Sequence, residues 1–201
     1  MKILIACEES QTVTKAFRLK GHEAFSCDIQ ECSGGHPEWH IQDDAINEAY
    51  NGGYDMMIAH PPCTYISRAG ARWMYEGGEI NNERLLQAMD AKEFFISLMH
   101  APINQIAIEN PTPLKIVGLP EHDQAIEPHY FGDPYSKKTL LWLKNLPPLI
   151  SACFTDYEPF LPSNTGGKKR GQKSSVGVSR SQKESSKTFP GIAKAMANQW
   201  G

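Results

Sequence analysis

A doubly wound, mostly parallel α/β sheet of the Rossmann-like type is the fold class that this sequence predicts. The first observation behind it is an amino-terminal alternation of strand, helix and strand over about thirty residues. The second is a pair of later apolar runs, each of which stops abruptly at polar residues and a proline. A buried parallel strand ends in this way when its carboxyl end opens on solvent or a ligand.

The first three elements form a β-α-β unit. Residues 2–7 are a short apolar strand, residues 11–20 have the apolar spacing of an amphipathic helix, and residues 23–29 are a second strand. Ser10 is the expected N-cap of the helix. In such units an acid at the end of the second strand binds ribose hydroxyls, and Asp28 is placed for that role.

The loop after the first strand, Cys7-Glu8-Glu9-Ser10-Gln11, contains no glycine and carries two carboxylates. A diphosphate requires close backbone approach and is repelled by carboxylates, so the loop argues against a dinucleotide. It is compatible with a cofactor that carries a positive charge and free hydroxyls.

Residues 30–54 are irregular. Four residues of metal-ligating type lie in or near this segment: Cys27, Cys32, His36 and His40. Their spacing fits no common zinc finger, so we expect no metal site. Residues 40–45 are a short strand or turn ending in acids. Of these, Asp44 either hydrogen-bonds an adenine amino group or caps the helix that follows.

Residues 55–60 are an apolar strand that leads into the first candidate reactive group. Two prolines follow it, and the thiol of Cys63 therefore lies just past a strand end, where ligands bind in open α/β sheets. With Arg68 and Arg72 close in sequence, we expect the thiol to be partly thiolate and nucleophilic. The alternative is an unreactive, half-buried cysteine at a strand terminus.

The clearest helix signal runs from residue 81 or 82 to residue 100, and a second proline-terminated strand follows at residues 105–111. Glu109, near its end, should open on the same sheet edge as Cys63. A carboxyl group at an apolar strand end tends to have a raised pKa, so we expect Glu109 to donate a proton to a ring nitrogen. The alternative is a carboxylate that accepts backbone hydrogen bonds.

The last third of the chain combines strands, a loop-rich segment and a helix. Residues 127–130 and 139–144 look like adjacent strands, and residues 192–200 form an Ala-rich helix that must dock on the sheet. We expect a single domain over residues 1–201, with 151–187 a loop-rich basic insertion.

The net charge of −3 is unevenly placed. Residues 168–187 hold seven Lys or Arg, among them Lys168, Lys169 and Arg170, against one acid, which gives +6 there and −9 elsewhere. Such a segment indicates contact with phosphates. The alternative is a solvated loop.

Cysteine usage and hydropathy indicate a cytoplasmic protein. The 201 residues include five cysteines without regular spacing, which suits a reducing compartment better than a disulfide framework. No apolar run is long enough to span a membrane, and residues 1–7 look like a first strand rather than a signal peptide. Nothing in the pattern points to a particular oligomeric state.

With these residues in view, the chain resembles the cytosine-C5 DNA methyltransferases, and more closely their short phage and prophage relatives. That family has the motif Pro-Pro-Cys-x-x-(Phe)-Ser-x-Ala-Gly-x-Arg. Here the residues at the same offsets are Cys63, Ile66, Ser67, Ala69, Gly70 and Arg72. Glu109-Asn110-Pro111 stands where the family has Glu-Asn-Val, and residues 132–138 resemble its Gly-Val-Pro-Gln-Arg-Arg-Arg run. The resemblance covers about residues 1–145 and 186–201.

The resemblance implies a class I methyltransferase fold, S-adenosyl-L-methionine as cofactor, and methyl transfer to C5 of cytosine in DNA. It makes Cys63 the nucleophile, Glu109 the acid at N3, and Lys137, with Arg72, the cation near O2. The implied cofactor contacts are Glu8, Ser10, Asp28, Asp44 and Pro61. The implied DNA contacts are Ser67, Arg68, Lys138, Lys168, Lys169 and Arg170.

Three departures from the family keep two alternatives open. The first loop lacks the family's Phe-x-Gly-x-Gly, lysine replaces arginine in the residue 132–138 run, and only about forty residues occupy the slot of the target-recognition region. One alternative is an enzyme of the same fold that acts on a free pyrimidine nucleotide or uses another donor. The other is a non-catalytic protein that binds nucleic acid or nucleotides.

Overall fold

A computed structural model of the chain describes residues 1–152, the backbone of 161–162, and residues 187–201. Seven strands form the main sheet: β1 (Lys2–Ala6), β2 (Glu23–Cys27), β3 (His40–Ile41), β4 (Met56–Ala59), β5 (Gln105–Pro111), β6 (Gln124–Ile126) and β7 (Thr139–Lys144). Their order across the sheet is β3-β2-β1-β4-β5-β7-β6. Strands β1 to β5 are parallel, and β7 runs antiparallel to both of its neighbours.

Within the described residues, four helices cover the two faces of the sheet: α1 (Thr12–Arg18), α2 (Ala45–Asn51), α3 (Asn82–Met99) and α4 (Pro190–Gln199). Helices α1 and α4 pack together on one face, and α2 and α3 pack together on the other. This arrangement confirms the predicted fold class, a doubly wound, mostly parallel Rossmann-like sheet.

The residues of β1 show why its sequence is continuously apolar. Ile3 and Ile5 belong to the core under α1 and α4, whereas Leu4 and Ala6 belong to the core under α2 and α3. All four residues are 0% exposed. A strand covered on both faces has no polar side, so its sequence does not alternate.

Short elements connect the main ones. Four 3-10 turns lie at Pro37–Trp39, Arg68–Trp73, Lys115–Val117 and Pro128–Phe131. Tyr75–Glu76 pairs with Glu79–Ile80, and Tyr135–Ser136 pairs in parallel with Leu161–Pro162, inside the segment predicted to be loop-rich. None of the helices in the described ranges has the length and apolar character that crossing a bilayer requires.

Two local predictions differ from the structure. Residues 127–130 were expected to be a strand, but Pro128 cannot donate to a ladder, so β6 ends at Ile126 and a 3-10 turn follows. Ser10 is not the N-cap of α1. The helix begins after Gln11, whose side chain does not cap it. The carboxylate of Glu8 instead accepts hydrogen bonds from the first-turn N–H groups of Val13 (2.7 Å) and Thr14 (3.2 Å).

Candidate active site

The strand order reverses between β1 and β4, and the candidate site lies at the carboxyl ends of the strands around this point. Ala59 of β4 is in register with Ile108 of β5, so the next residues, His60 and Glu109, lie side by side. His60 Nδ1 is 3.0 Å from Glu109 Oε2. The His60 and Glu109 side chains are only 10% and 13% exposed. No pattern in the sequence had marked His60 as a site residue.

The loop that carries Cys63 is bound to β5 and to the segment after it. Asn110, itself 1% exposed, donates from Nδ2 to the carbonyl of Pro61 at 2.9 Å. The N–H of Ser67 donates to the carbonyl of Cys63 at 2.9 Å, which closes a turn behind the thiol. The N–H of Arg68 donates to the carbonyl of Thr112 at 2.9 Å. These bonds hold Cys63 at the same edge as Glu109.

The environment of Cys63 favours the protonated thiol. Burial raises the pKa of Cys63, and the charge of Glu109 raises it further, while Lys137 and a hydrogen bond with Ser67 oppose the increase. The expectation of a partly ionised thiol is therefore wrong for the free protein. The cation that lowers the pKa of Cys63 is Lys137 and not the expected Arg68 or Arg72, both of which are exposed.

The pKa of Glu109 also differs from the prediction: it is lowered, whereas a raised pKa was expected. Burial on its own raises the pKa of Glu109, but the hydrogen bond and charge of His60, together with Lys137, outweigh it and bring the pKa below its ordinary value. The expected raised pKa is therefore wrong, and the reason is His60. The only signal in the sequence is that this histidine directly precedes the Pro-Pro-Cys motif.

Among the described residues, Lys137 is a cation that acts on both reactive groups, since its charge lowers the pKa of Cys63 and of Glu109. Its backbone N–H donates to Glu127 Oε2 at 2.7 Å, and its Nζ lies 5.7 Å from the centre of the Phe189 ring. Arg72 is placed differently. Its guanidinium lies 4.5 Å from the centre of the Trp73 ring, and the shifts in the pKa of Cys63 and Glu109 have other causes.

Unsatisfied polar atoms collect at this edge. Within the described residues, four buried side-chain polar atoms have no hydrogen-bond partner, and two of them are His60 Nε2 and Asn110 Oδ1. Buried polar atoms without partners are rare in folded proteins and are often found where a ligand or water binds. Their position beside Cys63 supports a binding site here.

The predicted cofactor acids lie beside β1. Burial raises the pKa of Cys7, which directly follows β1, and the charges of Asp28 and Asp44 contribute. Asp28 uses Oδ1 to accept from the N–H of Gln30 at 2.9 Å. Asp44 caps α2, as one of the two expectations had it, by accepting from the N–H of Ile46 at 2.7 Å through Oδ1. No described residue hydrogen-bonds Oδ2 of either acid.

The remaining predicted cofactor residues differ in how far their polar atoms are already used. The carboxylate of Glu8, 5% exposed, also accepts from the Thr14 hydroxyl at 2.7 Å, so it is engaged by α1. Ser10 Oγ lies 3.3 Å from the Thr12 hydroxyl. Pro61 is buried, and its carbonyl accepts the Asn110 bond.

The loop after β1 is shaped without glycine. Cys7 and Gln11 both have φ of 59°, the left-handed conformation that glycine usually supplies. Gln11 is 0% exposed and is braced by His36, whose carbonyl accepts from Nε2 at 2.7 Å and whose N–H donates to Oε1 at 3.1 Å. Gly34 packs so closely on Gln11 that a Cβ would lie 2.5 Å from the Gln11 Cβ. No pattern in the sequence indicates these contacts of Gln11 with His36 and Gly34.

The residues predicted to contact DNA differ in exposure, and three of them lie outside the part of the chain that the structure describes. Arg68 and Lys138 are exposed, whereas Ser67 is 2% exposed and bonds to the Cys63 thiol. Lys168, Lys169 and Arg170 lie outside the described residues. The four residues of metal-ligating type do not gather: within the described ranges no three His, Cys, Asp or Glu side chains converge on a point.

No family model and no curated protein matches the sequence. Solved structures that resemble the chain include one assigned as a DNA modification methyltransferase encoded within an E. coli prophage (11% identity, TM-score 0.44, 70% of this chain and 45% of that one). A second is the Dnmt2 methyltransferase of S. pombe (14% identity, TM-score 0.40, 73% of this chain and 50% of that one). A third is the protein PH0851 (13% identity, TM-score 0.41, 71% of this chain and 42% of that one). The chain thus spans half or less of the length of each of these proteins.

Proposed function

We propose that this protein transfers a methyl group from S-adenosyl-L-methionine to C5 of cytosine in DNA through a covalent adduct with Cys63. The observation that carries the proposal is the convergence of a thiol, a carboxyl group and a lysine at the strand-order reversal of a doubly wound sheet. These are the three kinds of group that the reaction requires, and two acids suited to a cofactor, Asp28 and Asp44, act on Cys7 at the end of β1.

The chemistry explains why those groups are required. C5 of cytosine is a poor nucleophile. Addition of the Cys63 sulfur to C6, with protonation of N3 at Glu109, converts C5 into the nucleophilic carbon of an enamine. Lys137 supplies positive charge near the ring oxygen as negative charge develops there. After methyl transfer, the C5 proton is lost to water, the Cys63 thiolate is eliminated, and the N3 proton returns to the sulfur, which releases neutral product and restores the thiol.

The raised pKa of Cys63 and the lowered pKa of Glu109 determine where the proton lies before the reaction. In the free protein the proton resides on the Cys63 sulfur and the negative charge on Glu109. Adduct formation breaks the S–H bond and forms the S–C6 and N3–H bonds. The site therefore moves one proton, in sum, from sulfur to N3 and needs none from solvent. Glu109 is the group in contact with N3.

The cofactor residues fit S-adenosyl-L-methionine by their chemistry. When bound, this cofactor supplies an electrophilic methyl group on a positively charged sulfur. Asp28 and Asp44 each have an oxygen that is not used by the described part of the chain, suited to ribose hydroxyls and the adenine amino group. Ser10 and Pro61 complete the proposed contacts, while Glu8 acts by shaping the loop through α1.

DNA is the proposed substrate because exposed cations, Arg68 and Lys138, flank the site. A cytosine within a duplex must leave the stack to reach Cys63. The proposed DNA contacts also include Ser67, beside the thiol, and the basic residues Lys168, Lys169 and Arg170.

Labelled S-adenosyl-L-methionine tests the proposal directly. We expect wild-type protein to label double-stranded DNA, Cys63→Ser to lose at least about a thousandfold in rate, and Cys32→Ser, a matched thiol on the loop after β2, to behave as wild type. DNA that contains 5-fluorocytosine should trap the wild-type adduct, because fluorine cannot leave C5 as a proton. Transfer that survives Cys63→Ser would reject the covalent mechanism.

Parallel reactions with deoxycytidine monophosphate separate the alternatives. Label on the free nucleotide but not on DNA would identify a nucleotide-modifying enzyme of the same fold. Calorimetry that detects no cofactor binding would instead indicate a non-catalytic protein.

A further inference from the structure

We propose that His60 is a positioning residue for Glu109: it holds one carboxyl oxygen in place and stabilises the carboxylate that Glu109 carries before and after it passes the Cys63 proton to N3 of cytosine. The inference rests on the proposed function and adds a residue to its site. It depends on the geometry of two strand ends and on the polar atoms that surround them.

The sheet itself fixes the pair. The N–H of His60 donates to the carbonyl of Ala6 at 2.9 Å, so the ladder between β1 and β4 continues through His60. Glu109 lies within β5 and is paired with Leu141 of β7. Both backbones are thus held by neighbouring strands. The short contact between Nδ1 and Oε2 is built by register rather than by a flexible loop.

The hydrogen bond with His60 involves only one of the two carboxyl oxygens of Glu109. Oε2 is occupied by His60 Nδ1, while Oε1 has no hydrogen-bond partner among the described residues. Oε1 is therefore the oxygen available to N3. The proton that leaves the Cys63 sulfur is taken up at Oε1 and passed to N3, so the S–H bond breaks, the S–C6 and N3–H bonds form, and Glu109 is a carboxylate before and after. That carboxylate keeps its hydrogen bond from Nδ1–H, a charge-assisted interaction in a low-dielectric site.

Among the described residues, few other groups face His60 and Glu109. Thr188, ahead of α4, places its hydroxyl 3.4 Å from His60 Nδ1. Lys137, ahead of β7, acts on Glu109 by charge, and Cys63 is the titratable group on the loop after β4. His60 Nε2 is buried and unpartnered in the described part of the chain. Glu109 is thus the nearest group that orients the imidazole ring, and the ring in turn orients Glu109.

A comparison of His60→Leu with His60→Asn isolates this role, because the asparagine amide can donate from near the position of Nδ1. His100→Leu, at the exposed end of α3, is the matched control. The first measurement is a carbon-13 NMR titration of the Glu109 carboxyl group in the free protein, assigned by its loss in Glu109→Gln. It requires no methyl transfer.

We expect a wild-type midpoint below about 4.3 and an upward shift of at least about one pH unit in His60→Leu. His60→Asn should retain the low midpoint more closely, and His100→Leu should leave it unchanged. In transfer assays we expect kcat of His60→Leu to fall by about 10- to 100-fold, less than the about 10²–10⁴ that a general acid contributes, with KM for DNA nearly unchanged. His60→Asn should recover much of that loss.

The two proposals fail in different ways. An unshifted Glu109 titration in His60→Leu, or equal kcat losses in the leucine and asparagine variants, overturns the role of His60. If wild-type protein transfers no methyl group although the titration shifts as expected, the proposed function is overturned, and the catalytic role of His60 with it. Should the leucine variant not fold, the asparagine variant decides, since a wild-type kcat with a raised Glu109 midpoint would also contradict the proposal.

Discussion

The charges of Glu109 and Lys137 act on the Cys63 thiol in opposite directions. Because Glu109 raises the pKa of Cys63 and Lys137 lowers it, we expect Glu109→Gln to lower that pKa and Lys137→Met to raise it. Burial, the larger cause, remains in both variants. The rate of iodoacetamide alkylation at the Cys63 peptide, followed against pH by mass spectrometry, measures both shifts. Arg72→Gln is the control, and a comparable shift in that variant would restore Arg72 to the environment of the thiol.

The Glu109 carboxylate also makes stability depend on pH. Its pKa is lower in the folded protein than in the unfolded chain, so its contribution is complete above about pH 4.3 and is lost as the pH falls through the folded value. The difference in unfolding free energy between wild type and Glu109→Gln should therefore shrink as the pH falls below 4. Urea unfolding from pH 7 to pH 2 measures it. A difference that is constant or grows in acid would contradict the lowered pKa.

At the residue scale, the sequence identifies the groups but not their ionisation states. Cys63, Glu109 and Asp28 stand at strand ends that apolar runs and prolines mark, so they are visible in the sequence. The pKa directions of Cys63 and Glu109 depend on burial and on His60. The partnership of His60 with Glu109 follows from strand register, which local sequence does not encode.

At the scale of elements, α1 depends on an acid outside it. Glu8→Ala removes the acceptor for two first-turn N–H groups and a buried hydroxyl, so we expect a loss of about 1–3 kcal/mol in unfolding free energy. Chemical denaturation without cofactor measures it. Glu31→Ala, at an exposed acid on the loop after β2, is the control. An unchanged stability would mean that the carboxylate is free to contact a ligand directly.

Helix α4 docks through a glycine. The N–H of Gly191 donates to Asp133 Oδ2 at 2.9 Å, and a Cβ at this position would collide with the carbonyl of Phe131 and lie 2.5 Å from Asp133 Oδ2. Gly191→Ala should therefore destabilise the protein by about 1–3 kcal/mol through overpacking. Thermal unfolding measures it against Lys194→Ala, an exposed position on the same helix. Equal melting temperatures would show that the helix can shift without cost.

At the scale of the whole molecule, exposed cations lie at the site edge of the sheet. If Arg68 and Lys138 contact DNA phosphates, neutralising both to glutamine should reduce the slope of log K against log salt by about two, near 0.9 for each contact. Lys20→Gln, in the turn before β2 at the opposite edge, should leave the slope unchanged. Fluorescence anisotropy at several salt concentrations measures it, and equal slopes would remove both residues from the interface. The basic segment 168–187 can be tested in the same way.

The fold class is predictable from sequence because it follows from local patterns: one β-α-β unit and two proline-terminated strands. The placement of β7 between β5 and β6 is not, because strand pairing is a long-range property. The site edge is predictable in the same sense, since all parallel strands point their carboxyl ends to one side.

The bracing of Gln11 by His36 has a consequence for assembly. These hydrogen bonds join residues 25 positions apart, so the bend after the first strand is imposed by distant contacts and not by its own sequence. The bend cannot be preformed in a short fragment and must appear together with the tertiary structure around it. The substitution His36→Pro, which would remove the N–H that donates to Gln11, should therefore weaken cofactor binding although it alters no residue proposed to contact the cofactor.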